Sequence, residues 1–253
     1  MSNNPIVLDN SILFQGDCLE IIDTLISQSV KVDAIITSPP YNMNLRVNSG
    51  RYMSRCGWKY HDKEFSTKYP EYPDDLPMED YFEFQKKFIE KAMQLTDIMF
   101  YNIQFLTGNK VALCRLLGYF ADKIKEIIIW DKINAQPAMM KNTLNSQYEF
   151  IIIFQNSKPY NRMFDSAHFE RGTLSNVWNV KREKNKISKA SFPTELVSKI
   201  LTNFTKEKDV ILDPFMGSGT TGVACKNLNR KFIGIELHEE TFNKAVERIK
   251  NEQ

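Results

Sequence analysis

Long apolar runs are missing from this sequence, and so is an N-terminal basic stretch followed by an apolar one. A transmembrane helix needs about 20 consecutive apolar residues, and a secretory signal needs both stretches in that order. These two absences lead us to expect a cytoplasmic protein with no membrane partner. Internal repeats and low-complexity tracts are absent as well, which excludes a repeat architecture.

Cysteine and histidine are scarce, with four and three residues respectively. None of the cysteines stands at a metal-ligand spacing from another, and no pair of histidines completes a site. A chain of 253 residues can form a large enough core to be stable without disulfides or metals. We therefore expect no bound metal and reduced thiols at Cys18, Cys56, Cys114 and Cys225.

Charge of one sign is not in large excess, since the formal net charge is +2 at pH 7. Net charge alone therefore does not predict a nucleic-acid partner. The basic residues are nevertheless concentrated in two irregular segments, residues 42–63 and 156–190. In the first segment they alternate with aromatic residues, a combination that suits contact with phosphates and stacking on bases. An ordinary solvated loop is the alternative for each segment.

The sequence contains short apolar runs that alternate with helical patterns, which predicts βα units and a mainly parallel sheet. One segment, residues 42–77, has no clear periodicity, and irregular segments of that length are usually functional or mobile. The predicted strands cover residues 11–15, 32–37, 98–103, 126–130, 148–154, 210–212 and 231–235. The predicted helices cover residues 19–28, 78–95, 110–120, 193–204, 220–228 and 239–250.

A glycine-containing loop, from Asp213 to Thr220, connects a predicted strand to the helix after it. Gly217 and Gly219 allow a ligand to approach the backbone closely, and the following helix N-terminus offers unpaired N–H groups. No lysine follows the second glycine, which excludes a phosphate-binding P-loop. About twenty residues later Glu236 ends the next strand, where a carboxylate suits the hydroxyls of a ribose. The pattern fits both NAD and S-adenosylmethionine, and a plain tight turn is the alternative.

The tetrapeptide Ser38-Pro39-Pro40-Tyr41 also follows a predicted strand. Its prolines fix the backbone and remove two N–H donors, so the carbonyls of Ser38 and Pro39 become fixed acceptors beside the Ser38 hydroxyl. Such acceptors suit the amino group of a nucleobase, because hydrogen bonds to its protons favour a pyramidal, more nucleophilic nitrogen. Tyr41 supplies a flat surface for stacking a base that has left the duplex. Taken alone, the tetrapeptide could equally be a rigid turn with an aromatic plug.

Together the two motifs resemble those of the DNA methyltransferases that methylate amino groups, and the similarity extends over nearly the whole chain. In most of that family the cofactor motif comes first. Here the tetrapeptide precedes the glycine loop, an order that resembles the permuted beta class. The resemblance implies one catalytic domain, residues 1–253, with an α/β Rossmann-like methyltransferase fold and S-adenosylmethionine as cofactor. It further implies a mostly parallel seven-stranded sheet with helices on both faces and a small target-recognition insert.

The resemblance also assigns roles to individual residues. Asp17 is expected to contact the cofactor adenine and Glu236 the ribose. The segment at Phe192 and Pro193 is expected to pack against the methionine part, although a histidine that often precedes this proline in relatives is absent here. The expected catalytic residues are Ser38, Pro39, Pro40 and Tyr41. The other expected cofactor-binding residues are Cys18, Thr37, Asp213, Phe215, Gly217, Ser218, Gly219, Thr220 and Leu237.

The first residue of the tetrapeptide bears on the target base. Relatives that methylate adenine mostly have Asp or Asn there, and those that methylate the cytosine amino group mostly have Ser. Ser38 therefore favours N4-methylcytosine over the alternative, N6-methyladenine. Methylation at carbon 5 of cytosine needs a cysteine nucleophile, which relatives place after a proline, and no cysteine here follows a proline.

Two further alternatives belong to other classes. RNA and protein amino-methyltransferases tend to begin the tetrapeptide with Asn and to place it after the cofactor loop, and this chain does neither. A catalytically inactive DNA-binding subunit would be expected to have lost Ser38, Tyr41 or Gly217, and all three are present.

Duplex DNA is therefore the expected partner. We predict that residues 42–77 form a mobile loop that closes over the flipped base, and that residues 132–147 with 156–190 form the target-recognition region. A cognate restriction endonuclease and a homodimer are further partners that the class suggests, although the sequence shows no interface signature. The expected DNA-binding residues are Arg46, Arg51, Arg55, Lys181, Arg182 and Lys184.

Overall fold

The structure, a computed structural model, describes residues 4–43, 46–48, 51–52, 66–67, 75–136, 141–156, 161–183 and 192–251. Its helices are α1 (Cys18–Ser27), α2 (Met78–Ala92), α3 (Lys110–Tyr119), α4 (Thr194–Phe204), α5 (Thr220–Asn227) and α6 (Glu239–Asn251). Its strands are β1 (Ile6–Leu8), β2 (Ser11–Gln15), β3 (Ala34–Thr37), β4 (Arg46–Asn48), β5 (Arg51–Tyr52), β6 (Ser66–Thr67), β7 (Ile98–Ile103), β8 (Ile124–Gln136), β9 (Ser146–Gln155), β10 (Val177–Asn179), β11 (Val210–Asp213) and β12 (Lys231–Glu236). None of the helices in these ranges is long and apolar enough to cross a membrane.

The main sheet has nine strands in the order β1-β2-β12-β11-β3-β7-β9-β8-β10. The run from β2 to β7 is parallel, and β9 is antiparallel to both of its neighbours. This confirms the predicted α/β class with a mostly parallel sheet. The two strands beyond the predicted seven, β1 and β10, have three residues each. That length is too short for a period-2 pattern to be recognised.

Helices cover both faces of this sheet, as predicted. One apolar cluster joins α4, α5 and α6 to one face through residues such as Leu201, Val223 and Ile249. The second cluster joins α1, α2 and α3 to the opposite face. Each helix therefore buries its apolar side against strands that are themselves apolar on both faces, the usual arrangement for a parallel sheet.

Strand register explains how distant motifs become neighbours. β3 lies between β11 and β7, with Ile35 opposite both Leu212 and Met99. β12 pairs with β11 on one side and with β2 on the other, where Glu236 lies opposite Gln15. Because these strands are parallel, their carboxyl ends meet at one edge of the sheet. The tetrapeptide, the glycine loop and the start of α1 all follow at that edge.

Two segments differ from their predicted irregular character. Within residues 42–77, β4 pairs with β5 and β6 in a small antiparallel sheet. Within residues 156–190, β10 adds in parallel to β8, and the rings of Phe164 and Phe169 pack edge-on against Phe204 of α4. The described part of the second segment therefore packs on the main sheet and its helix. Its role in target recognition stays a prediction.

Candidate active site

The backbone of the tetrapeptide is held from several sides. The carbonyl of Pro40 accepts hydrogen bonds from Tyr81 Oη (2.8 Å) and Gln85 Nε2 (3.2 Å), both on α2. The carbonyl of Tyr41 accepts one from Asn109 Nδ2 (2.6 Å). These contacts fix the chain where β3 ends, so the side chains of the tetrapeptide are positioned by the main sheet and by α2.

The Tyr41 hydroxyl is the centre of a buried polar network. It donates to Glu149 Oε2 (2.8 Å) and accepts from Ser38 Oγ (3.0 Å). Asn102 Nδ2 donates both to Tyr41 Oη (2.6 Å) and to Glu149 Oε2 (2.9 Å). The second carboxylate oxygen, Glu149 Oε1, accepts from Lys132 Nζ (3.1 Å). The tetrapeptide is thereby connected to three side chains that the sequence analysis did not identify.

A sequence signal for these three residues did exist. Glu149 stands within an apolar run of β9, Lys132 in β8 after a run of isoleucines, and Asn102 inside the fully buried strand β7. Charged and amide side chains in buried strands need partners, because leaving them unpaired costs several kcal/mol. Burial lowers the pKa of Lys132 in spite of the opposing effect of the Glu149 carboxylate.

The carboxylate of Asp213 connects the glycine loop to β3 through hydrogen bonds. Its Oδ1 accepts from Thr37 Oγ1 (2.7 Å) and from the backbone N–H of Phe215 (3.1 Å), while Oδ2 accepts from Thr221 Oγ1 (2.6 Å). The carboxyl group is buried, and this burial raises its pKa from 3.8 to about 6. Thr37 and Asp213, both predicted to contact the cofactor, are thus engaged with each other across 176 residues of sequence. In the structure they join the tetrapeptide strand to the loop.

The shifted pKa of Asp213 predicts a pH dependence of stability. Between pH 4 and 6 the native state holds a proton that the unfolded state has released, so the free energy of unfolding falls as pH rises through this range. A shift of this size corresponds to about 3 kcal/mol. Asp213→Asn removes the titration, and we expect its unfolding free energy to change less over the same range.

Urea unfolding of both proteins at pH 4, 5, 6 and 7 measures this difference. When the unfolding free energies of the two proteins are subtracted at each pH, the contributions of groups that titrate alike in both proteins cancel. If the free energy of unfolding changes with pH equally in the two proteins, Asp213 does not cause the expected loss of stability between pH 4 and 6.

The two glycines of the loop have different environments. Gly217 and Gly219 have φ values of +52° and +78°, which disfavour residues with a side chain. A Cβ at Gly219 would lie 3.1 Å from Ile249 Cδ1 and 3.3 Å from Ala245 Cβ, so Gly219 allows α6 to pack closely. Among the described residues, the atom nearest to a Cβ at Gly217 would be the Phe215 carbonyl oxygen, at 3.8 Å. The backbone at Gly217 therefore borders open space.

Glu236 faces this open side of the loop. Its Oε2 accepts from the backbone N–H of Gly217 (2.9 Å) and its Oε1 from that of His238 (3.0 Å). Its carbonyl accepts from the N–H of Gly16 (3.0 Å), which brings the end of β12 beside the start of α1. There Asp17 caps α1 by accepting from the N–H groups of Leu19 and Glu20. The structure thus brings Asp17, Gly217 and Glu236 together at one edge.

The other predicted cofactor residues surround this edge with different exposures. Cys18 is buried, which raises the pKa of its thiol. Arg248 Nη1 donates to the carbonyl of Ser218 and to Thr220 Oγ1, both at 3.1 Å, so these residues contact α6. Leu237 accepts from Gln15 Nε2 (3.0 Å) through its carbonyl. Pro193 is the N-cap of α4.

Phe215 and Phe192 belong to the apolar clusters on opposite faces of the main sheet. The half-buried ring of Phe215 contacts the edge of Phe88 on α2, with ring centroids 4.9 Å apart. Phe192 is buried and lines a small cavity together with Thr37 and Asn102. Asn102 Oδ1 is buried and has no hydrogen-bond partner among the described residues. An unsatisfied acceptor therefore belongs to a residue that lines the cavity beside Thr37, at the end of the strand that leads into the tetrapeptide.

The predicted DNA-binding residues are only partly placed. Arg46 and Arg51 belong to β4 and β5, while Arg55 and Lys184 lie outside the described residues. Lys181 and Arg182 are exposed, and Arg182 Nη2 is 3.9 Å from Glu149 Oε1. Of the predicted basic residues, Arg182 is thus linked directly to the network around the tetrapeptide.

In the part of the chain that the structure describes, neither a metal-binding cluster nor a disulfide is present. No cluster of His, Cys, Asp and Glu there could hold a metal ion. Cys18, Cys114 and Cys225 are free thiols, while Cys56 lies outside the described ranges.

Comparison with known proteins identifies the family. The DNA methylase family, which includes N6- and N4-type enzymes, matches residues 32–247. The chain belongs to this family. It is therefore an S-adenosylmethionine-dependent DNA amino-methyltransferase, as the two motifs predict.

Several relatives illustrate the extent of the similarity. The type II methyltransferase M.Cfr9I of Citrobacter freundii is 28% identical over 275 residues, which cover 99% of this chain and 91% of the relative. M.SmaI of Serratia marcescens is 34% identical over 130 residues, covering 48% of this chain and 44% of the relative.

Solved structures agree with the fold. The M1.HpyAVI–SAM complex has 25% identity and a TM-score of 0.64, covering 94% of this chain and 99% of the other. The PvuII DNA methyltransferase (cytosine-N4-specific) has 16% identity and a TM-score of 0.70, covering 100% and 97%. At that identity the second structure supports the fold alone.

The residues at the sheet edge fit the cofactor of this family. S-adenosylmethionine carries a ribose, an adenine and a sulfonium-activated methyl group, which is what the target amino group takes up. The backbone at Gly217 borders open space, the Glu236 carboxylate faces it, and the unsatisfied Asn102 Oδ1 lies near Phe192. Hydrogen-bond acceptors are therefore present both beside the glycine loop, at Glu236, and beside Thr37, at Asn102.

Proposed function

We propose that the protein methylates the exocyclic N4 amino group of cytosine in duplex DNA, by base flipping and direct transfer. The hydrogen bond from Ser38 Oγ to Tyr41 Oη is the observation that supports transfer to an amino group, and serine as the first residue of the tetrapeptide favours cytosine. Because the Ser38 hydroxyl donates its proton to Tyr41, both of its lone pairs remain available to accept from an amino group. N6-methylation of adenine is the alternative within the same chemistry.

In this proposal each residue of the tetrapeptide has its own role. Ser38 accepts an N–H of the target amino group, while Pro39 and Pro40 fix the backbone. Tyr41 stacks on the flipped base, with its hydroxyl held by Glu149 and Asn102.

The cofactor roles follow the positions at the sheet edge. Glu236 accepts from the ribose hydroxyls, exchanging its present bonds to backbone N–H groups. Asp17 contacts the adenine from the start of α1. Phe215 lies beside the cofactor. Phe192 and Pro193 pack against the methionine part. Thr37 and Asp213 act indirectly, by holding the loop in place.

The DNA contacts that we propose lie in residues 42–77, which close over the flipped base, and in residues 132–147 with 156–190, which recognise the target. Lys181 and Arg182 contribute phosphate contacts from their exposed positions. Because the relatives are named as type II methyltransferases, a cognate restriction endonuclease is a further proposed partner. A homodimer is proposed on the resemblance alone.

Identification of the methylated nucleoside tests the choice of base. Unmethylated DNA incubated with the protein and S-adenosylmethionine is digested to nucleosides and analysed by mass spectrometry. We expect N4-methyldeoxycytidine, and the same reaction with Ser38→Ala serves as the blank. N6-methyldeoxyadenosine would overturn the cytosine assignment. Absence of any methylated nucleoside, with DNA binding retained, would instead indicate an inactive DNA-binding subunit.

A further inference from the structure

Methylation of an amino group leaves a proton to be removed. The nitrogen still carries two protons when the bond to the methyl carbon begins to form, so positive charge builds up on it unless one proton leaves as the bond forms. At the carboxyl edge of the sheet, the group expected nearest this nitrogen is Ser38 Oγ. A serine hydroxyl is a weak base, and it can take the proton only if it passes on its own.

The direction of the hydrogen bonds around Tyr41 provides such a route. A tyrosine hydroxyl has one proton to donate and two lone pairs to accept with. An ionised carboxylate can only accept, so the Tyr41 proton points to Glu149 Oε2, at 2.8 Å. The lone pairs of Tyr41 Oη then accept from Asn102 Nδ2 and Ser38 Oγ. The Ser38 proton therefore points to Tyr41 and the Tyr41 proton to Glu149, so the chain of donors runs in one direction and ends at the carboxylate.

We propose that Ser38, Tyr41 and Glu149 form a proton path that removes the surplus proton from the methylated amino group. This inference rests on the role proposed for Ser38 at the target amino group, and it holds for cytosine and adenine alike.

The step balances as follows in atoms and electrons. The amino nitrogen forms a bond to the methyl carbon, and the carbon–sulfur bond breaks with its electron pair on sulfur. As the new bond forms, one N–H proton passes to Ser38 Oγ, the Ser38 proton to Tyr41 Oη, and the Tyr41 proton to Glu149 Oε2, so loss of the final acceptor slows the transfer itself. The products are a neutral methylamino group, the demethylated thioether and a protonated Glu149.

The surroundings of Glu149 suit a terminal proton acceptor. It is 7% exposed and faces groups from several elements: Lys132 Nζ from β8, Asn102 Nδ2 from β7, and Arg182 Nη2 at 3.9 Å. Two of these groups are cationic, so the carboxylate is not left as an isolated buried charge. Arg182 is partly exposed, with 43% of its side chain accessible, and this side of the network leads towards solvent.

Glu149→Gln is the direct test, because it keeps the shape of the side chain and removes the acceptor. We expect the single-turnover rate of methyl transfer to unmethylated plasmid DNA to fall about tenfold or more. The S-adenosylmethionine Kd, measured by calorimetry, should stay within about twofold. The rate of the variant should also rise steeply between pH 7 and 9, as hydroxide replaces the missing acceptor, whereas the wild-type rate should change little.

Four further variants separate the proton path from a purely structural role. Tyr41→Phe should show the same loss as Glu149→Gln, and the two changes together should lose no more than either alone. Glu149→Asp keeps a carboxylate and should recover part of the rate. If Glu149→Gln folds poorly because it strands the buried Lys132, then Glu149→Gln with Lys132→Met removes both charges and should show the same pH profile.

The outcomes distinguish this proposal from the proposed function. An active wild type together with a Glu149→Gln rate that is unchanged, or reduced equally at every pH, would overturn the proton path alone. Loss of S-adenosylmethionine binding in Glu149→Gln, in Glu149→Asp and in Glu149→Gln with Lys132→Met would also overturn the proton path, because it would show that Glu149 has a structural role. A wild type that methylates no DNA would overturn the proposed function and the path with it.

Discussion

Gly217→Asp should raise the Kd for S-adenosylmethionine by a hundredfold or more. The backbone at Gly217 has φ +52°, where a residue with a Cβ costs about 1–2 kcal/mol. The new carboxylate would also stand beside Glu236, whose Oε2 accepts from the Gly217 N–H at 2.9 Å. The backbone strain lowers the stability of the free and the bound protein alike. The added carboxylate lies where the ribose is expected and lowers the binding free energy, of which each 1.4 kcal/mol is a factor of about ten in Kd. Isothermal titration calorimetry measures the loss.

Gly172→Asp is a matched control for this prediction. Gly172 has φ +83° and is exposed, and no atom of the part of the chain that the structure describes would lie within 4 Å of an added Cβ. The Gly172→Asp substitution therefore introduces the same side chain with a similar backbone strain energy, away from the glycine loop. We expect its Kd for S-adenosylmethionine to match the wild type. Equal affinities for Gly217→Asp and the wild type would remove the loop from the cofactor site.

Ser38→Ala should lower kcat for methyl transfer to DNA by about a hundredfold or more, with little change in the Kd for S-adenosylmethionine. Alanine removes the oxygen that accepts from the amino group and also breaks the bond to Tyr41 Oη. The cofactor edge is untouched, because Asp213 is held by the neighbouring Thr37 and not by Ser38. Labelled methyl transfer under saturating S-adenosylmethionine measures kcat.

Ser27→Ala provides the comparison for this second prediction. Its hydroxyl makes a local bond to the Thr24 carbonyl near the end of α1, and it is exposed. Removing it should leave kcat within about twofold. Tyr41→Ala should reduce turnover as strongly as Ser38→Ala, because it removes both the stacking surface and the centre of the buried network. Wild-type turnover in Ser38→Ala or Tyr41→Ala would refute the roles assigned to these residues.

The sequence alone determined the features that depend on local pattern. The alternation of apolar runs and helical periods predicted the α/β class, and most element boundaries agree with the structure to within a few residues. The positions of Ser38 and Gly217 directly after strands placed both motifs at one edge of the sheet, because parallel strands end on the same side. The family assignment followed from these motifs and their order, and the match over residues 32–247 confirms it.

Only the tertiary structure decided which polar side chains support those motifs. Tyr41 and Glu149 are 108 residues apart, and their contact depends on how β3, β7, β9 and β8 are ordered and aligned. A shift of one residue in any of these strands would turn the side chains to the other face. No local pattern records that register. For the same reason the bonds of the Asp213 carboxylate to Thr37 and Thr221 could not be predicted from the sequence, and its contact with the cofactor stays a prediction.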